Sequence, residues 1–318
     1  MALAFRVVVS SGSGQTVLRV SVLAASLVFL AWVTAAGRGR QTPPGAPAIA
    51  APPAARDDAP RPDPGVLRVC ADPNNLPFSD RAGAGFENEL ARLVARDLGR
   101  RVEYYWQPQR RGFVRTTLNA GRCDVIMGMP TGSDMVRTTR PYYRSTYVFV
   151  TTQALRPRIS SFDDPRLRRL RIGIPMTGDD GGNPPPAMAL SRRGIFANVR
   201  GYPVYGDYSK PRPSWGVLNA LRDREIDVAI AWGPLAGSFA REAGGAYAVV
   251  AVDARHERSL PFAFDVSMAV RRPDAQLATA LDAVIQRRAA AIRRLLERYG
   301  VPLEPSGRDQ RTSARTRS

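Results

Sequence analysis

The chain is 318 residues long and carries 46 Lys and Arg against 28 Asp and Glu, a formal net charge of +18. That balance favours acidic partners or anionic surfaces, but no nucleic-acid-binding motif accompanies it, and the export signal described next argues against such a partner. There are two cysteines, the first at Cys70, so none is placed to carry a lipid near the N-terminus.

Val20 to Ala36 is an uncharged run of 17 residues, preceded by Arg6 and Arg19 and closed by the small residues Thr34, Ala35 and Ala36. Residues 1–36 thus have the layout of a secretory signal peptide. A run of this length also nears the lower limit for spanning a bilayer, so a retained N-terminal anchor is the alternative to cleavage. Residues 37–64 form a spacer. Its eight prolines between Gln41 and Pro64, set among alanines, favour extended polyproline conformation and bury no core. Residues 306–318 are polar and Arg-rich and read as a disordered basic tail. Leader and spacer carry three of the net positive charges and the tail three more, leaving +12 on the stretch between. A coding bias toward Arg accounts for the single lysine, Lys210, without removing that charge. A stretch of about 240 residues suffices for two domains with cores of their own.

Within it, apolar strands alternate with amphipathic helices, the pattern of an α/β protein with parallel sheets. Val66–Ala71 reads as a strand. Phe86–Leu98 has a helical apolar period that Gly99 stops. Val102–Trp106 reads as a strand, Gly112–Ala120 as a short helix, and Asp124–Met129 and Ser145–Thr152 as buried strands. A second set follows. Its strands are Arg171–Ile174, Val199–Tyr205, Asp227–Trp232, Ala248–Val252 and Phe262–Val270; its helices are Pro184–Arg193, Trp215–Asp223 and Pro234–Ala243. One long helix, Asp274–Tyr299, closes the series. In both sets a helix feeds a strand that opens Asp-Val, at Asp124 and at Asp227. Two like lobes in one chain leave a cleft between them, where small ligands bind.

Ordered motifs add a more specific message. Leu67 to Ser79 and Gly85-Phe86-Glu87 resemble the opening of the family 3 periplasmic solute-binding proteins, and Gly121–Met129 and Pro141-Tyr142-Tyr143 resemble later blocks of that family. Cys70–Ser79, Trp106–Phe113, Arg137–Tyr147, Gly178-Asp179-Asp180, Val204–Tyr208 and Ala231–Gly237 together resemble a narrower group, the quinoprotein-dehydrogenase-associated members of MxaJ/XoxJ type. The resemblance spans Val66 to Tyr299. It implies a type II periplasmic-binding-protein fold: two α/β lobes, a cleft between them and a double crossover. Lobe 1 would comprise residues 65–150 and 262–305 and lobe 2 residues 151–261, with crossings near Tyr147–Leu155 and Pro261–Met268. It further implies a periplasmic, non-catalytic accessory protein of a PQQ-dependent methanol or alcohol dehydrogenase, assisting that enzyme's maturation or activity. The dehydrogenase or its cytochrome c would be the partner, and no cofactor is implied. The alternative is an ABC-transporter substrate-binding protein for a small solute other than a standard amino acid.

Most members of that family hold an amino acid by an Arg on its carboxylate, an Asp on its amino group and aromatic rings around its side chain. Carried onto this sequence, the Asp falls on Trp232, the Arg near Met135, the loop aromatic on Asn75 and the second stacking ring near Arg111. All four depart from the pattern. Without the charged pair, a zwitterion would lie unpaired in a desolvated cleft. Arg137 or Arg140 is the candidate replacement cation. The cleft candidates are Asp72, Asn75, Phe78, Trp106, Arg110, Arg111, Met129, Thr131, Tyr143, Asp179, Asp180, Tyr205 and Trp232. For Tyr143, Tyr205 and Trp232, at strand ends, cleft lining and core packing are equally open.

No catalytic set emerges. The sole histidine, His256, lies in a charged loop and reads as solvated. Gly178–Asn183 lacks the spaced acids of a calcium loop and reads as a turn into the following helix. Cys70 and Cys123 invite a disulfide in an exported chain. If their strands lie side by side and parallel, however, a four-residue offset separates them by about 13 Å, beyond the roughly 7 Å Cα limit for bridging. On that register they read as two buried thiols, and the pairing stays open. The arginines of Arg166–Arg171 and Arg192-Arg193 are candidates for a partner-facing surface.

Overall fold

The structure, a computed structural model, describes residues 63–176, 184–257 and 259–305. The leader, most of the spacer, the basic tail, and Asp179 and Asp180 lie outside these residues.

The first elements are β1 (Val66–Ala71), β2 (Asn74–Asn75), β3 (Ser79–Asp80), α1 (Phe86–Asp97), β4 (Arg101–Trp106), α2 (Phe113–Thr116) and β5 (Val125–Pro130). β1 lies between β4 and β5 and is parallel to both. Phe86, Leu90 and Val94 recur every four residues, so they share one face of α1, and they are buried against Leu67, Val69 and Met127 of the sheet. The other sheet face carries Cys70, Leu118 and Ile126. α2 is shorter than expected. The hydroxyls of Thr116 and Thr117 bond back to the carbonyls of Gly112 and Phe113, an alternative to helix continuation for residues of this type.

β6 (Arg137–Thr152) links the two halves. Up to Thr146 it pairs antiparallel with β11, and from Tyr147 onward with β9 and β10. The expected strand began only at Ser145, because the polar residues Arg137 to Arg144 obscure the inward positions Thr139 and Tyr143. The second half comprises β7 (Ile172–Met176), α3 (Pro185–Arg192), β8 (Val199–Pro203), α4 (Gly216–Arg222), β9 (Val228–Trp232), α5 (Gly233–Glu242) and β10 (Tyr247–Ala251). β9, β7 and β8 are parallel, around cores built on Ile172, Val228 and Ile230 and on Leu218, Leu221 and Ala229. β11 (Ala263–Val270) then returns to the first half, giving the strand order β4-β1-β5-β11-β6-β9-β7-β8. This is the two-lobed, doubly crossed α/β architecture of type II periplasmic binding proteins. The expected terminal helix breaks at Arg288 into α6 (Ala275–Arg287) and α7 (Ala289–Arg298). At the break both Arg287 and Arg288 reach Asp97 of α1, at 2.5 and 2.6 Å, and the apolar faces of both helices join the α1 core.

The two Asp-Val strand openings are equivalent clamps. Asp124 donates its N–H to the Arg68 carbonyl at 2.8 Å, and its carboxylate accepts from Arg68 N, Nε and Nη2 at 3.0, 3.1 and 2.6 Å. Asp227 makes the same four bonds to Arg171, at 2.8, 2.9, 3.0 and 2.7 Å. In each lobe the clamp joins residues 56 apart.

Cys70 and Cys123 form a disulfide, with their Cα atoms 5.5 Å apart. The strands are parallel and the cysteines staggered, by three residues rather than four, since Cys70 lies opposite Ile126. The extended-chain distance does not apply, because Cys123 precedes β5 in a turn opened by Gly121 at φ 73°, and the chain folds back toward β1.

Candidate functional site

The C-terminal ends of the parallel strands in both lobes face one gap, the place where open α/β sheets bind ligands. Asp72 follows β1, Gln109 and Arg110 follow β4, and Met129 lies at the end of β5; across the gap, Tyr205 follows β8 and Trp232 ends β9. They border a cleft of about 760 Å³. A smaller chamber of about 320 Å³ shares Asn75, Phe78, Met129, Tyr147 and Trp232 with it and adds Glu87, Tyr143 and Phe264.

Asp72, Asn75, Phe78, Arg110, Arg111, Met129, Tyr205 and Trp232 line the larger cleft, and Tyr143 lines the inner chamber. Two sequence candidates lie elsewhere. Trp106 shares a face of β4 with Tyr104, stacks on it at 4.6 Å and packs toward the α1 core. Thr131 is exposed beyond the cavity linings and bonds the Ser267 hydroxyl at 2.7 Å. The expected replacement cations are also corrected. Arg137 bonds the Arg272 carbonyl and Arg140 bonds Gln286, at 3.0 and 3.1 Å, and neither lines the cleft. The four family-type positions, Asn75, Arg111, Met135 and Trp232, all line it.

Asp72 is buried and engaged. It accepts the N–H groups of Asn74 and Gln109 at 2.8 and 2.6 Å and the hydroxyl of Tyr208 from across the gap. Burial first, and then that bond to a carboxylate, push the Tyr208 phenol above its ordinary range, so it remains a neutral donor. The Arg110 guanidinium stands 4.7 Å over the Tyr208 ring. Nearby, Trp215 Nε1 donates to the Leu76 carbonyl at 3.0 Å and Asn74 Nδ2 to the Lys210 carbonyl at 3.0 Å. The loop after β1 is therefore bonded directly to the segment before α4, closing one side of the cleft.

The deeper walls are aromatic. Tyr147 and Trp232 meet edge to face at 5.6 Å, and Trp232 and Phe264 at 5.9 Å. Glu87 comes from the first turn of α1 and lies over Gly128 of β5, where any Cβ would overlap its carboxylate. Burial, and secondarily the charge of Asp72, push Glu87 up to about 8. Sequence reasoning missed Glu87, Tyr147, Tyr208 and Phe264. Tyr147 was accessible: it lies four residues past Tyr143, on the same side of an alternating strand. Glu87 looked like part of a helix-start motif, and nothing local marks a loop tyrosine that bonds across a gap.

Among the described residues, no group of three His, Cys, Asp or Glu side chains is placed to hold a metal ion. Residues 67–301 match the bacterial extracellular solute-binding proteins, family 3. The chain belongs to that family. MoxJ of Methylorubrum extorquens is 30% identical over 311 residues, 93% of this chain and 98% of the relative. MoxJ of Paracoccus denitrificans is 28% identical over 256 residues, 76% of this chain and 90% of the relative. The crystal structure of the periplasmic binding protein XoxJ from Methylobacterium extorquens aligns with a TM-score of 0.63 at 36% identity, covering 76% of this chain and all of that one. Within family 3 the chain thus falls in the MoxJ/XoxJ-type group, and it is a non-catalytic binding protein. Among the described residues no helix is long and apolar enough to cross a membrane.

Proposed function

We propose that the chain is exported to the periplasm and serves there as an accessory protein of a PQQ-dependent methanol or alcohol dehydrogenase, assisting the enzyme's maturation or activity. Residues 1–36 direct export, as a cleaved signal or a retained anchor. Residues 65–150 with 262–305, and residues 151–261, are taken as the two lobes. One observation carries the reading. In a chain similar to MoxJ and XoxJ, the cleft positions that would grip an amino acid's two charges are Trp232 and Met135. Neither side chain can replace a charge-assisted hydrogen bond.

The partner surface is narrower than the sequence suggested. Arg166 is held by Asp164 at 2.6 Å, Arg171 by Asp227 at 2.7 Å, and Arg193 by Asp163 and Glu257 at 2.7 and 2.5 Å. Among the described residues Arg168, Arg169 and Arg192 are exposed and make no ion pair, bonding at most the Arg193 carbonyl or the Ser259 hydroxyl, which leaves them as the charges available to an acidic partner.

A thermal-shift panel separates this reading from that of an amino-acid receptor. No standard L-amino acid at millimolar concentration should raise the melting temperature. A ligand at 100 times its Kd would stabilise by about 2.7 kcal/mol, a shift of several degrees. A clear shift with even one amino acid would restore the receptor reading.

A further inference from the structure

The inner chamber holds a carboxyl group without a partner. Among the described residues, Glu87 makes no side-chain hydrogen bond or ion pair, and no Arg or Lys lines the chamber with it. The arginines near the cleft, Arg110, Arg111 and Arg115, border only the outer cavity. Around Glu87 stand Tyr143, Tyr147, Trp232 and Phe264, with Phe78 nearby. Aromatic rings carry negative faces that attract cations, most strongly where water is excluded. A hard metal ion is a poor match, since calcium takes six to eight oxygens and the chamber offers one carboxylate and the amides of Asn75 and Gln109.

We propose that the inner chamber is a binding site for a small organic ammonium cation, with the Glu87 carboxylate as its counter-charge and Tyr143, Trp232 and Phe264 as its aromatic walls. A volume of about 320 Å³ admits cations from methylammonium to choline. The assignment stands apart from the dehydrogenase reading and holds for an accessory protein and a transport receptor alike.

The site is coupled to pH. Burial and the charge of Asp72 keep the Glu87 proton on until about pH 8. Besides the Asp72 carboxylate, the titratable groups that face Glu87 or line its chamber are the phenols of Tyr104, Tyr142, Tyr143 and Tyr147, all of which burial raises above their ordinary range, while Asn75 and Gln109 are uncharged amides. A bound cation must therefore displace the Glu87 proton, and affinity climbs as pH approaches 8 from below.

The test is titration of the full chain with methylammonium, tetramethylammonium and choline, and with 3,3-dimethylbutan-1-ol as choline's neutral isostere. At pH 9 at least one cation should bind saturably, and the neutral isostere should bind about tenfold more weakly or worse than choline. Because choline does not titrate, its affinity should fall about tenfold for each pH unit below 8. Glu87→Gln should weaken choline at least about tenfold and leave the isostere unchanged. Should that variant fail to fold, the pH slope of the wild-type chain still decides. Absence of binding by all three cations, equal binding of choline and its isostere, or a flat pH profile would each overturn the assignment.

Discussion

Replacing Cys70 and Cys123 together by alanine is expected to lower the stability of the folded chain by about 4 kcal/mol. The disulfide closes a loop of 53 residues. Removing a cross-link of that span returns roughly 4 kcal/mol of chain entropy to the unfolded state at 25 °C. For a folded region of this size the loss corresponds to a melting temperature roughly 10 °C lower. The bond ties β1 to the turn before β5, on the sheet face opposite α1, where both sulfurs are buried with Leu118 and Ile126. A reductant should reproduce the effect on the wild-type chain and leave the double variant unchanged. Calorimetry with and without reductant checks both. A loss under about 1 kcal/mol would mean that the unfolded chain already keeps these segments together.

The second large effect sets one lobe against the other. Asp124 and Asp227 make the same bonds to Arg68 and Arg171, but in different surroundings. The Asp124 side chain is 9% exposed and also faces Arg271 at 3.6 Å; that of Asp227 is 34% exposed. Breaking this pair leaves the part-buried Arg68 guanidinium without its shielded carboxylate, so Asp124→Asn should cost about 2 kcal/mol, below the roughly 3 kcal/mol of a fully buried pair. Asp227→Asn should cost about 1 kcal/mol or less, as exposed pairs do. The bonds from Arg171 also hold the Asp227 carboxyl below the usual range. Its contribution is therefore complete above the unfolded carboxylate's pKa and is lost as pH falls through the lower folded value. Urea melts of the two variants check the ranking, and equal losses would contradict it.

These clamps also show how far the sequence could be read. The Asp-Val echo was visible as a repeat, and its partners sit at one fixed separation, so the internal symmetry of the lobes was accessible without coordinates. α1 was accessible because its apolar residues recur at helical spacing and Gly99 stops it. The cleft was legible in part. Strand-end residues such as Asp72 and Trp232 could be placed by topology, and the departures at Asn75, Arg111, Met135 and Trp232 by resemblance. Trp106 could not, since only the pleat phase of β4 decides which sheet face it serves. The Tyr208–Asp72 bond depends on how two distant loops meet. The disulfide was misjudged because an extended-strand distance was applied to a residue in a turn. Glu87 was overlooked because helix starts commonly carry an acid, and only its position over Gly128 gives this one another meaning.

Direct binding to the dehydrogenase tests the central claim most directly. The dehydrogenase and its cytochrome c, taken from the chain's own host, are immobilised in turn, and the folded chain is passed over them at about 0.01 M and 0.15 M salt. The screening length falls from about 30 Å to about 8 Å between those conditions. The account predicts saturable binding to one of the two, with an on-rate that drops about tenfold at the higher salt and drops again when Arg168 and Arg169 are both changed to Glu. No binding to either protein, under conditions where the chain is folded and monodisperse, would contradict it.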